Sequence, residues 1–271
     1  MSNLPLSLLT FVAYSLLAAY FLRAQLGGQA ARLNVHGLVS HSVLLPLTLH
    51  AWLLSQSLFA DGQLSFGLAN ALSLILWLTM LVYWLARFFY PIGSLQALVL
   101  PLAAIGAVLP ALFPAPRPLD HPTSFAFDAH LVAAMLAYSL LTIAVLHAVM
   151  ISLVEKRLHH GTLPTLLRNL PPLLTMESLL FRIIWGGFVV LSLTLTSGMF
   201  FSEQVFGKPW QFGHKTLFGL MSWLVFAALL FGHRRYGWRG KIAVRWTVSG
   251  FVFLLLAYLG TEFVLEVLLR R

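Results

Sequence analysis

The sequence predicts an all-α protein: a polytopic membrane helix bundle of about eight transmembrane helices, with both termini periplasmic. Three observations predict it. Of 271 residues, 59% are hydrophobic and only 9% are Asp, Glu, Lys or Arg, against about 25% charged in an ordinary soluble domain. So few charges cannot cover a globule in water. The apolar residues gather into eight runs, each near the roughly 20 residues that a hydrocarbon core about 30 Å thick requires. The basic residues, finally, crowd to one side of those runs.

The runs are 4–22, 38–58, 66–86, 95–113, 126–153, 179–201, 215–231 and 246–268. None alternates with period two, which excludes a barrel. The first has no basic residue before it and no small-residue cleavage site after it, so it reads as a retained span rather than a signal peptide. The second carries His41 and His50. The third and fourth are parted only by Arg87-Phe-Phe-Tyr-Pro-Ile-Gly93. The fifth carries His130 and His147, the seventh follows an aromatic loop, and the eighth carries Glu262 and Glu266. One integral membrane domain over 1–271 is the economical organisation, and no internal repeat of the transporter kind appears.

Lys and Arg set the orientation. Connections one, three, five and seven, with their flanks, hold Arg23, Arg32, Arg87, Lys156, Arg157, Arg168, Arg182, Arg234, Arg235, Arg239, Lys241 and Arg245. These are 12 of the 17 basic residues; Arg117, Lys208, Lys215, Arg270 and Arg271 fall on the other side. The chain is therefore expected in a bacterial inner (cytoplasmic) membrane, lipid on its flanks. Two connections exceed a turn: the proline-rich 114–122 outside, stiff by composition, and 156–177 inside, whose apolar stretch 163–174 suits a helix on the membrane surface.

Several chemistries are excluded. Cysteine is absent, which removes disulfides, thiolate metal sites and Cys nucleophiles. There is no His-Glu-x-x-His, Walker loop, G-x-S-x-G or Rossmann glycine fingerprint. No basic stripe interleaved with aromatics lies outside the spans, so nucleic acid is set aside. Ten histidines against eight acids is the informative imbalance, because imidazole ligates haem and stays neutral at low cost inside a membrane. His41, His50, His130, His147, His214 and His233 lie in or at the ends of spans. His41 and His50 are nine residues apart and face opposite ways; His130 and His147 are 17 apart, roughly 25 Å along the axis. A hydrogen bond to a neighbouring helix is the ordinary use of any one of them. The stretch Phe206-Gly-Lys-Pro-Trp-Gln-Phe-Gly-His-Lys215 offers Trp210 and Phe212 as flat walls, His214 as a ligand and two lysines. That set suits a planar macrocycle bearing propionates, and it also suits an interfacial aromatic belt.

The stretch from Pro171 to Gly260 resembles the membrane haem-handling proteins of cytochrome c assembly, which carry a tryptophan-rich "WWD" segment (the CcsA/CcmC group). Phe206-Gly207, Trp210, Phe212, Lys215, Phe218, Leu220, Trp223-Leu224, His233-Arg234 and Gly237-Trp238-Arg239-Gly240 fall in the family's order. Upstream, Pro171-Pro172-Leu173, Met176-Glu177, Phe181-Arg182, Gly187-Phe188, Ser197-Gly198 and His130 with Tyr138 match too, so the family-like region is about 126–260. The resemblance implies haem b as cofactor, with His130 as an external axial ligand. His50 and His233 would be intramembrane ligands, and Trp210, Phe212, His214 and Trp223 would stand around the macrocycle. Other cytochrome c maturation proteins would be partners. Phe206 and Phe212 replace tryptophans, Gly213 replaces an aspartate, and no histidine follows His233. These departures match the divergent HemX-like or YpjD-like branch. The expected function is haem binding and handling rather than ligation, so catalysis is not assigned. The alternatives are a membrane scaffold or regulator without haem, and a small-solute or cation transporter using Glu262 and Glu266.

Overall fold

The computed structural model describes residues 3–26, 41–59, 64–90, 95–114, 125–159, 172–200, 202 and 213–260. Every regular element among them is helical: α1 Leu4–Leu26, α2 Leu44–Leu58, α3 Leu68–Ala86, α4 Gln96–Leu112, α5 Phe125–His159, α6 Leu173–Phe200, α7 His214–Tyr236 and α8 Gly240–Leu255, the last entering a π-helical turn at Leu256–Gly260. Each expected run corresponds to one helix. Six of them, all but α2 and α4, are long and apolar enough to cross a membrane. With no water in hydrocarbon, a helix satisfies its backbone internally, and that condition selects this architecture. Large apolar side chains left exposed along the helices, among them Leu16, Trp52, Leu193 and Phe231, are the surface that lipid covers.

The boundaries differ from the apolar runs in an instructive way. α6 begins six residues before position 179, and α8 begins six before 246. Glu177, Arg182, Lys241 and Arg245 lie in those early or flanking turns, where charge ends the hydrocarbon-compatible run without ending the helix. The expected surface helix at 163–174 lies almost wholly outside the described residues, as do Glu262, Glu266 and most of the 114–122 loop.

Contacts divide the chain into two compact units, 1–117 with 150–176 and 118–149 with 177–271. In the first, α4 packs along α1 and α3, and α2 joins α1 and α3. Trp77 Nε1 donates to the Leu47 carbonyl at 2.9 Å. Asn70 pins the α2–α3 connection: it accepts from Ser57 Oγ at 2.6 Å and donates to the Ser65 carbonyl at 2.6 Å. α4 contains Pro101 and Pro110. A proline has no N–H, so the carbonyls of Ala97 and Gly106, four residues back, lose their ladder bonds.

In the second unit α5 lies on α6 at Gly187, where an added Cβ would stand 2.7 Å from Leu141 Cδ2. Small residues that let helices approach are the usual contact in lipid. Ser222 Oγ donates to the Gly250 carbonyl at 2.8 Å and ties α7 to α8. The α7–α8 turn needs Gly237, whose φ of 69° is left-handed. Glu177 Oε1 accepts from the Gly240 N–H at 2.8 Å, capping α8 with a carboxylate where the helix dipole is positive. Tyr138 from α5 enters the α8 backbone: its hydroxyl donates to the Leu254 carbonyl at 2.7 Å and accepts from the Tyr258 N–H. A side chain inserted into the ladder accounts for the change from α to π pitch there.

Candidate functional site

His130 is in the second turn of α5, half-buried, its Nδ1 2.8 Å from Ser197 Oγ in the last turns of α6. Ser197 Oγ in turn donates to the Thr194 carbonyl at 2.9 Å. A hydroxyl has one proton, and this one is committed to Thr194. Ser197 must therefore accept from His130 Nδ1–H, which leaves the lone pair on Nε2. Gly198 completes the seat, because an added Cβ would stand 3.2 Å from His130 Cε1.

The remaining expected residues of this unit distribute along α7. Trp223 Nε1 donates to Ser192 Oγ at 2.8 Å, and its ring stacks on Phe188 with centroids 5.4 Å apart. α6 thus runs antiparallel to both α5 and α7, which gathers His130 and the start of α7 at one end. His214 is the first residue of α7 rather than part of the preceding loop, and it is exposed. Next to it, Lys215 Nζ stands 5.2 Å over the Tyr258 ring. Trp223 lies nine residues further in, roughly 13 Å along the helix. Trp210 and Phe212 lie outside the described residues.

His233 occupies the last turn of α7, at the opposite end. Its Nδ1 is 2.9 Å from the Trp238 carbonyl, and a carbonyl only accepts, so Nδ1 carries the proton here too. The ring lies flat on Phe181, centroids 3.4 Å apart and planes at 12°. The Gly232 and Gly237 backbone lets Trp238 fold back to make this contact.

His50 belongs to the first unit and is arranged differently. It is fully buried, and its Nε2 is 3.0 Å from Ser73 Oγ. Its Nδ1 has no hydrogen-bond partner among the described residues. Tyr14 meets the ring edge-on at 5.9 Å. His41, half a revolution away, is half-buried against Phe88 and Trp84.

A ligand imidazole is oriented by a hydrogen bond at one nitrogen and binds through the other. His130 and His233 meet that condition with Nδ1 anchored and Nε2 carrying the lone pair. His50 meets it the other way round, with Nε2 engaged by Ser73 and Nδ1 without a partner among the described residues. Among the described residues no three His, Asp or Glu side chains converge to hold a bare metal ion. A single imidazole is the donor set that a haem macrocycle needs from the chain. Ser197 and Gly198 complete the His130 seat, yet the sequence flagged them only as a shared dipeptide, since a contact 67 residues distant leaves no local periodicity.

A family model described as cytochrome C assembly protein matches residues 38–269. The chain is 32% identical over 139 residues to the inner membrane protein YpjD of Escherichia coli, covering 51% of this chain and 52% of that protein. It is 30% identical over 223 residues to an uncharacterized 28.8 kDa protein of Azospirillum brasilense, 81% of each. Over 111 residues it is 32% identical to the cytochrome c biogenesis protein CcsA of Rippkaea orientalis, 39% of this chain and 33% of that protein. The aligned stretch thus spans about half the length of YpjD and a third of CcsA. No solved structure matches.

Proposed function

The chain belongs to the cytochrome c assembly protein family, and we propose that within it this protein binds and handles haem b in a bacterial inner membrane rather than joining haem to apocytochrome. The observation that carries the reading is the Thr194–Ser197–His130 relay, which fixes the tautomer of His130 and directs its lone pair through Nε2. Bound haem would supply iron and any redox chemistry. The chain's own residues supply the rest. His130 would hold the haem through Nε2. Ser197 orients its ring, and Gly198 keeps the space beside Cε1 open. Exposed His214 and Lys215 stand at the same end of the unit, as a second imidazole and a cation suited to propionates. Trp223, fixed by Ser192 and Phe188, braces the helix that presents them.

The departures in the tryptophan-rich segment support handling over ligation. Phe206 and Phe212 stand for tryptophans and Gly213 for an aspartate, so the platform is weaker and carries no carboxylate. The basic residues orient the His130 end outward: reporter fusions after Arg239 should read cytoplasmic, and those near Asp120 and Lys208 periplasmic. Absorption of protein purified from a haem-replete host tests the core of the reading. A Soret band that shifts on reduction is expected, with accessible iron that accepts added imidazole, and no rescue of cells lacking a cytochrome c ligase. Protein that takes up no haem even from added haemin would overturn the reading, and efficient rescue would overturn the exclusion of ligation.

A further inference from the structure

The first unit contains a cleft of about 340 Å³, within the lower range of small-molecule sites. Its rim is formed by the exposed residues Asn3, Gln56 and Pro114, and its base by the fully buried His50 and Ser73. Between rim and base, Ser7, Ser57 and Ser65 line it together with Leu53, Leu54 and Pro110. Asn70 bonds both Ser57 and Ser65, so the polar wall is built and fixed rather than fluctuating. No Asp, Glu, Lys or Arg is among the described residues that line it.

The base holds polar atoms that the surrounding helices do not satisfy. His50 Nδ1 and the Tyr14 hydroxyl, on rings in edge contact and both fully buried, have no partner among the described residues. Gly106, whose added Cβ would stand 3.4 Å from His50 Cε1, has a carbonyl that Pro110 deprives of its ladder bond. Of His50, Tyr14 and Gly106 only His50 lines the cleft itself, and a neutral imidazole can donate or accept. Buried polar groups are normally paired, and an ion brought to this depth would meet no counter-charge.

We propose that this cleft binds a small uncharged amide or alcohol, held at its inner end by His50 and along its length by the serines. The cleft lies in the unit that does not contain His130, so its test does not depend on haem binding at His130.

The absence of cysteine makes the test direct. In the full chain in lipid nanodiscs, Ser73→Cys reports the base of the cleft and Ser7→Cys its α1 wall. Thr79→Cys, fully buried on α3 and off the cleft, is the control. Methyl methanethiosulfonate, which is neutral, should label both cleft thiols about tenfold faster than the control thiol, since access governs thiol reactivity. Its trimethylammonium-ethyl analogue should be about tenfold slower there than the neutral reagent, because a charge must be desolvated. Acetamide should slow cleft labelling where acetate does not. Cleft thiols labelling no faster than the control would overturn the cleft. Equal rates for charged and neutral reagents would overturn the selection for uncharged ligands. Acetamide without effect on either cleft thiol would show a space that holds water only.

Discussion

Two histidines, one in each unit, use opposite nitrogens. His130 gives Nδ1–H to Ser197 and keeps its lone pair on Nε2; His50 commits Nε2 to Ser73. Both sit on apolar helices, and the sequence offered both as ligands, His130 external and His50 within the membrane. The difference comes from where the neighbouring serine stands. Ser197 approaches from the end of an antiparallel helix beside the start of α5, whereas Ser73 faces His50 within a packed four-helix group. Imidazole chemistry is thus decided by the helix across from it, not by the helix that carries it.

The largest effect should follow from His130→Ala, which removes the proposed haem ligand and should abolish the Soret band of haem at that end. His50→Ala should leave that band unchanged. Haem titration followed by absorbance separates the two, and equal losses would erase the distinction between the units. His214→Ala should fall between them, since His214 is exposed and contributes at most a second, weaker ligand.

The next contrast is between the two serines. Ser197→Ala frees His130 to take either tautomer, and loss of an orienting partner typically costs about 10–100-fold in ligand affinity. Ser73→Ala should not lower haem affinity at His130 at all. Nitrogen-15 spectra of the haem-free protein provide a second readout: the His130 ring should show a protonated Nδ1 in the parent chain and a tautomer mixture in Ser197→Ala. An unchanged tautomer would break the relay.

Packing gives a smaller and separate contrast within α6. Gly187→Ala drives a Cβ to 2.7 Å from Leu141 Cδ2 and should cost about 1–3 kcal/mol. At Gly186 an added Cβ meets nothing within 4 Å, so Gly186→Ala should be neutral or stabilising by up to about 1 kcal/mol. Thermal unfolding in detergent ranks the pair. The smallest effect is expected from Tyr138→Phe, which withdraws a hydroxyl from the α8 ladder. Interhelical hydrogen bonds in membranes average about 0.6 kcal/mol, and the variant should also slow backbone amide exchange at Tyr258 if the π turn reverts to α.

The sequence by itself determined the fold class. Run lengths near the bilayer thickness, 9% charge and no period-two alternation leave helices as the only economical solution, and all eight appear. The family was legible too, because Phe218, Trp223, His233 and the Gly237–Gly240 turn keep their order along the chain. Helix ends were less so: Glu177 and Lys241 stop an apolar run while leaving helix formation untouched. What only the tertiary structure decided is the state of each site. Ser197 is 67 residues from His130, Ser73 is 23 from His50 and Phe181 is 52 from His233, and no periodicity within one helix encodes a partner on another. Hydrogen-bond direction at an imidazole is set by the nearest committed proton, and that proton belongs to a residue that folding, not sequence adjacency, brings alongside.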